Sequence, residues 1–201
     1  MKRKVCIDCR MWGKQFGGIG RYVQQIVSNL VASQKWHFYL IVNNNFAFSY
    51  FAGKDNVCFI RCNAKMFSLA EQVVLPRIIP SCDLFWSPYM NVPFLPCKAK
   101  HRVVTLHDVF HLANPKYYSI IKRLFIKTYY YFSCKKSDLI LTVSDFSKSE
   151  INKYCGIKDY NKTFRVYNGI DIDVTHVVPM DIGIDYILFV GNVKPHKNIK
   201  N

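Results

Sequence analysis

The chain has 201 residues, 50% of them hydrophobic and 20% charged, which excludes an intrinsically disordered polypeptide. A chain this long buries roughly 70% of the surface its unfolded form exposes, enough for one large domain or one domain plus a piece of another. Its 28 Lys and Arg against 13 Asp and Glu give a formal charge of +15, so the expected partner is anionic: nucleic acid, a phosphorylated small molecule or an anionic membrane surface.

The chain opens Met1-Lys2-Arg3-Lys4-Val5-Cys6-Ile7-Asp8. Its basic head is followed by an apolar run that stops at Asp8, too short for a signal peptide. Elsewhere the longest apolar runs are about five residues, as in Tyr186–Val190. A membrane-spanning helix needs roughly 20. The first strand is predicted over Arg3–Asp8, and Cys6 and Cys9 form a C-x-x-C around it. Residues three apart on a strand face opposite ways. No His or Cys cluster lies nearby in sequence to complete a tetrahedral zinc site. These two thiols, and the Cys58 and Cys62 pair, therefore read as small buried hydrophobes. Eight cysteines without a secretion signal read as reduced thiols in a cytosol.

Gly17-Gly18-Ile19-Gly20-Arg21-Tyr22 follows the first strand and leads into a helix predicted over Gly20–Val31. Tyr22, Val23, Ile26, Val27 and Leu30 recur there at helical spacing and make one buried stripe. Glycines let backbone approach a ligand, and a helix start offers unpaired N–H groups to an anion. No Gly-Lys-Ser/Thr follows, so this is not a Walker A loop. The glycines start some nine residues after the strand, and the second strand ends in Asn43-Asn44-Asn45 where a ribose-binding acid belongs, so it is a poor dinucleotide fingerprint. Two readings stay open: a ligand loop at the carboxyl end of the first strand, or a turn that needs left-handed backbone.

Further strands are predicted over Trp36–Val42, Val57–Arg61, Leu84–Trp86, Arg102–Leu106, Leu139–Val143 and Thr163–Val166. Further helices are predicted over Met66–Ile79, Tyr117–Lys135 and Phe146–Tyr154, the last capped by Ser144 or Asp145. The loop Pro88–Pro96 is irregular by composition. Several strands are apolar at consecutive positions, such as Leu139-Ile140-Leu141, which suits a parallel sheet covered on both faces. The alternation predicts a doubly wound α/β domain.

His107-Asp108 ends the strand Arg102–Leu106 and faces the same crevice as the glycine loop. An imidazole there can hydrogen-bond a sugar hydroxyl or a developing charge. Around it, Lys98–Lys136 carries nine Lys and Arg, with Asp108 its lone acid. Within that stretch, Tyr117–Lys135 mixes aromatics with lysines. That mixture suits an anionic membrane surface, or else a half-buried helix with a solvated face.

Asn168-Gly169 reads as a turn, and residues 168–184 as a linker. A new strand is predicted over Asp185–Val190, followed by the basic loop Gly191-Asn192-Val193-Lys194-Pro195-His196-Lys197-Asn198. Two lysines near a helix start suit a diphosphate. One strand cannot build a sheet, so the expectation is a domain over 1–167 joined to the truncated start of a second over 185–201.

The glycine loop, His107-Asp108, Ser144-Asp145-Phe146-Ser147, Asn168-Gly169-Ile170-Asp171 and Phe189-Val190-Gly191 through Asn198 stand in this order. Together they resemble the N-terminal half of the group 1, or family 4, nucleotide-sugar glycosyltransferases with the GT-B fold. The resemblance implies two Rossmann-like domains facing a cleft, the first holding an acceptor and the second a nucleotide sugar. It implies retention of anomeric configuration, with no metal and no further cofactor. By the same resemblance, His107 sits beside the donor sugar. Gly17, Gly18 and Gly20 approach the donor phosphates, and Lys197 neutralises the leaving diphosphate. Asp108, Arg21, Asn192 and Lys194 are further candidates. Many members have Arg where this chain has Asn192, and Lys194 is the expected substitute. The acidic pair that holds the donor belongs to the second domain, beyond Asn201. The chain is thus expected to have little activity alone. A hexose, mannose first, a glycan or lipid-linked acceptor, and a place in the cytoplasm at the inner membrane face complete the expectation. The rivals are a non-catalytic binding module or gene remnant, and a basic nucleic-acid-binding protein, which lacks any recognised motif.

Overall fold

The computed structural model describes residues 2–13, 16–43, 46–169, 183–191 and 199. The chain divides into two compact units, Met1–Asn168 and Gly169–Asn201.

In the first unit, consecutive apolar residues form strands covered on both faces. They are β1 (Lys4–Asp8), β2 (His37–Val42), β3 (Val57–Arg61), β4 (Cys82–Ser87), β5 (Ala99–Thr105), β6 (Leu139–Thr142) and β7 (Thr163–Arg165). The helices are α1 (Gly17–Ala32), α2 (Phe46–Tyr50), α3 (Leu69–Ile78), α4 (Phe110–Ala113), α5 (Ile120–Lys136) and α6 (Asp145–Cys155). The strands join one sheet in the order β3-β2-β1-β4-β5-β6-β7. Every neighbouring pair is parallel. The chain steps outward from β1 to β3, then crosses back to β4 and steps the other way. The crevice outside the carboxyl ends of β1 and β4 is therefore the topological switch point, where open α/β sheets hold ligands.

Core composition follows from strand alternation. Ile7 and Cys9 pack with Val23, Val27 and Val31 of α1 and with Phe51 beyond α2. Cys6 points the other way and packs with Leu75 and Phe85 under α3. The C-x-x-C is thus split between the two faces, and burial raises both thiol pKa values. On the α3 side, Val104, Leu106 and Ile140 pack against Ile126 and Tyr130 of α5 and Ile151 of α6.

Local chemistry sets the ends. Ser68 caps α3 by accepting from the Glu71 N–H at 3.2 Å, so the helix starts at Leu69, not Met66. Ser144 caps α6 by accepting from the Ser147 N–H at 3.0 Å, and Gly156, at a left-handed φ of 63°, stops it. Helix α1 begins at Gly17, three residues before the predicted start. The segment 88–98 joins β4 to β5 without a helix.

The predicted strand Asp185–Val190 is absent: these residues take no regular secondary structure, and Ile187, Leu188 and Val190 are exposed. A strand is defined by its ladder, and no neighbour among the described residues pairs with this segment.

Candidate functional site at the carboxyl edge of the sheet

Helix α1 starts at the switch point. Gly17 opens it at a left-handed φ of 58°, which costs a residue with a Cβ strain. A Cβ on Gly18 meets nothing within 4 Å, so the backbone there is open to a ligand. Gly20 differs. A Cβ there would lie 2.2 Å from the Gly13 carbonyl oxygen, so this glycine lets the loop after β1 lie against the helix.

Tyr22, one turn beyond Gly18, reaches across the ends of β4 and β5. Its ring meets the His107 imidazole edge to face at 4.8 Å and the Trp86 indole at 6.2 Å. Trp86 Nε1–H donates to Thr105 Oγ1 at 3.0 Å, fixing the indole against β5. The glycine-opened helix start and the imidazole are thereby joined through one aromatic ring.

His107 is held from a second side. Its Nε2 lies 2.9 Å from the Pro88 carbonyl oxygen. A carbonyl only accepts, so Nε2 carries the proton and Nδ1 the lone pair. Burial pushes the imidazole pKa below its ordinary value, outweighing the hydrogen bond to Pro88 and the nearby Asp108. A neutral imidazole with a lone pair suits a hydroxyl donor and is a poor counter-ion for a phosphate. The Asp108 carboxylate accepts from the Phe110 N–H at 3.0 Å, turning the chain into α4. Arg21 is exposed.

Beneath this edge lies a buried ionic cluster that sequence reasoning missed. Asp8, at the end of β1, takes a bidentate fork from Arg10: Nε–H to Oδ1 at 2.8 Å and Nη2–H to Oδ2 at 2.6 Å. Arg10 Nη1 also meets Glu71 Oε1 of α3 at 2.5 Å. Tyr89 O–H donates to Asp8 at 2.6 Å, and Asn91 Nδ2–H donates to Glu71 at 2.6 Å. All three charged side chains are fully buried. Burial works against the Arg10 charge, but Asp8 outweighs it and the guanidinium pKa is raised. Burial raises the Glu71 carboxyl even with Arg10 beside it. The cluster ties the loop after β1 to α3 and to the segment after β4, and so fixes the floor of the crevice. Its one signal in sequence, Ser68-Leu69-Ala70-Glu71, reads as an ordinary helix cap.

The structure thus brings Gly17, Gly18, Gly20 and His107 to one edge. Asn192, Lys194 and Lys197 lie outside the described residues. No group of three or more His, Cys, Asp or Glu among the described residues could hold a metal ion.

A family model described as Glycosyltransferase Family 4 matches residues 16–174. No curated protein matches the chain. Among solved structures, HepE from Anabaena in complex with UDP and glucose is 14% identical, with a TM-score of 0.53, over 84% of this chain and 45% of that one. HepE in complex with UDP-glucose is 15% identical, with a TM-score of 0.52, over 84% of this chain and 44% of that one. The chain spans less than half the length of these structures, and at this identity the likeness is one of fold.

Proposed function

This chain belongs to glycosyltransferase family 4, and from that membership we propose that it forms the acceptor-side half of an enzyme moving a hexose from a nucleotide sugar to a glycan or lipid-linked acceptor. Mannose is the first sugar to test, and retention the expected stereochemistry. The observation that carries the reading is the Tyr22–His107 contact, which sets the open backbone of Gly17 and Gly18 and a neutral imidazole on one crevice wall.

Glycosyl transfer separates an anionic diphosphate from an electron-poor sugar carbon. Fixed dipoles aimed at the departing charge supply much of the barrier reduction. The free N–H groups at the start of α1 are such dipoles, and the exposed glycines leave them approachable. His107, pinned through Nε2, turns Nδ1 into an acceptor for a sugar hydroxyl and orients the sugar. Gly20 seats the helix against the loop after β1. By resemblance, Lys197 supplies the cationic side of the diphosphate site, with Lys194 standing in for the arginine that Asn192 replaces. That HepE was solved with UDP-glucose supports a nucleotide-sugar donor. The reaction needs no metal in this reading, and the protein works in the cytoplasm against the inner membrane face.

Because most of a donor lobe is needed to bind the leaving group, the 201-residue chain should turn over poorly alone. Incubation with labelled UDP-glucose and GDP-mannose, with free glycans and lipid-linked acceptors, tests this. The expected transfer is a trace, on the order of a hundredfold or more below an ordinary enzyme rate. Turnover near about 10 per second would contradict the division of labour between two lobes.

A further inference from the structure

We propose that the outward face of α5 docks on an anionic lipid bilayer. The proposal deepens the lipid-linked acceptor reading above, on which it rests, but its test uses no activity.

The first two turns of α5 are apolar on the side away from the core. Ile120, Ile121 and Leu124 are 81%, 84% and 68% exposed, and Phe125 is exposed beside them. At 3.6 residues per turn these four share one face. Ile126, Tyr129, Tyr130 and Cys134 bury the other. A single exposed isoleucine is ordinary, but four large apolar residues on adjacent turns form a patch that needs a partner.

The surrounding charge selects that partner. Residues 109–137 hold Lys116, Lys122, Arg123, Lys127, Lys135 and Lys136, and no Asp or Glu. Lys122 Nζ stands 4.9 Å from the Tyr118 ring centre, and Lys135 Nζ donates to Tyr131 Oη at 2.8 Å. Lys122 is thus held beside an aromatic ring at the border of the patch, and Lys135 is held likewise further along the same helix. An apolar stripe rimmed by lysines and tyrosines is the composition of a helix lying in the headgroup region. A second copy of the chain would bring like charges together, and a nucleic acid would leave the isoleucines uncovered. No helix among the described residues is long and apolar enough to cross a membrane, so α5 lies on the surface.

Docking there has a consequence for the site. Tyr130 O–H donates to the Asp108 carbonyl oxygen at 3.0 Å, next to His107. A helix seated on lipid therefore holds the imidazole end of the sheet close to the leaflet that would carry a lipid-linked acceptor.

Flotation of the 201-residue chain tests the proposal, with vesicles of phosphatidylcholine alone and of phosphatidylcholine mixed with phosphatidylglycerol, at low and high salt. Partitioning should favour the anionic vesicles at least about tenfold at low salt and fall as salt rises. Each cation near the surface contributes about fivefold, so K122E/K127E should lower it by more than about tenfold. I121S/L124S should also lower it about tenfold, with an unchanged thermal melt because both side chains are exposed. K54E, placed before β3 at the amino edge, should change little. Equal partitioning to both vesicles, or no effect of I121S/L124S, overturns the proposal; the latter pattern is that of a purely electrostatic partner. Self-association abolished by I121S/L124S without vesicle binding overturns it as well. Lost flotation leaves the transfer reading standing, and absent transfer with intact flotation leaves the docking face standing.

Discussion

Gly20 has no side chain because none fits: a Cβ would lie 2.2 Å from the Gly13 carbonyl oxygen and 3.0 Å from that of Met11. Both obstacles are backbone and cannot swing aside. Gly20→Ala should therefore destabilise by about 1–3 kcal/mol in a urea titration. Gly18→Ala should be close to neutral, since a Cβ there meets nothing within 4 Å. Equal costs for the two would show that the helix start is misplaced. Arg10 presents a different case. Arg10→Met leaves the Asp8 and Glu71 carboxylates buried together without their shared cation. The expected loss is about 3–5 kcal/mol by chemical denaturation. A loss below about 1 kcal/mol would mean the cluster is solvated.

His107 gives the pH prediction. Its folded pKa is depressed below 6.5 by burial. Its contribution to stability is then complete above pH 6.5 and is lost as pH falls through the folded value. Following the imidazole by NMR should place its midpoint below 6.5, and a midpoint at or above 6.5 would contradict the burial.

Among the elements, α6 is the clearest test of local control. Ser144 receives the Ser147 N–H at its start, and left-handed Gly156 closes its end. Ser144→Ala should cost about 1 kcal/mol of thermal stability, and an unchanged melt would show that packing at Ile151 alone holds the helix. The strands were legible because Val, Ile, Leu and Phe at consecutive positions can be satisfied only by cover on both faces. Helix α1 was legible from its stripe, and α6 from its cap. Short α2 and α4 were not, because four or five residues hold too little of a period. The Asp185–Val190 run forms no strand among the described residues for a related reason. Its residues carry strand propensity, but a strand needs a partner that no local pattern can supply.

At the scale of the molecule, the sheet order creates the site. The crossing between β3 and β4 opens the crevice that α1 and His107 border, and both lie at carboxyl ends of strands. His107 and the glycines were legible as candidates because they follow predicted strands. The Asp8–Arg10–Glu71 cluster was not, because Glu71 reaches its partners only through the fold. Gly20 was grouped with the phosphate-facing glycines, and its lack of a side chain also answers to packing against the Gly13 carbonyl, a demand visible only in the fold.

The most direct measurement is an NMR titration of the chain with UDP-glucose and, separately, GDP-mannose. The Gly17 and Gly18 amides and the His107 ring should shift together and weakly, at the high ligand concentrations that one wall of a two-lobed donor site requires, with at least one of the two sugars. Shifts confined to the amino edge, where Lys2, His37 and Lys54 line a hollow, would contradict it. So would movement of His107 without the glycines.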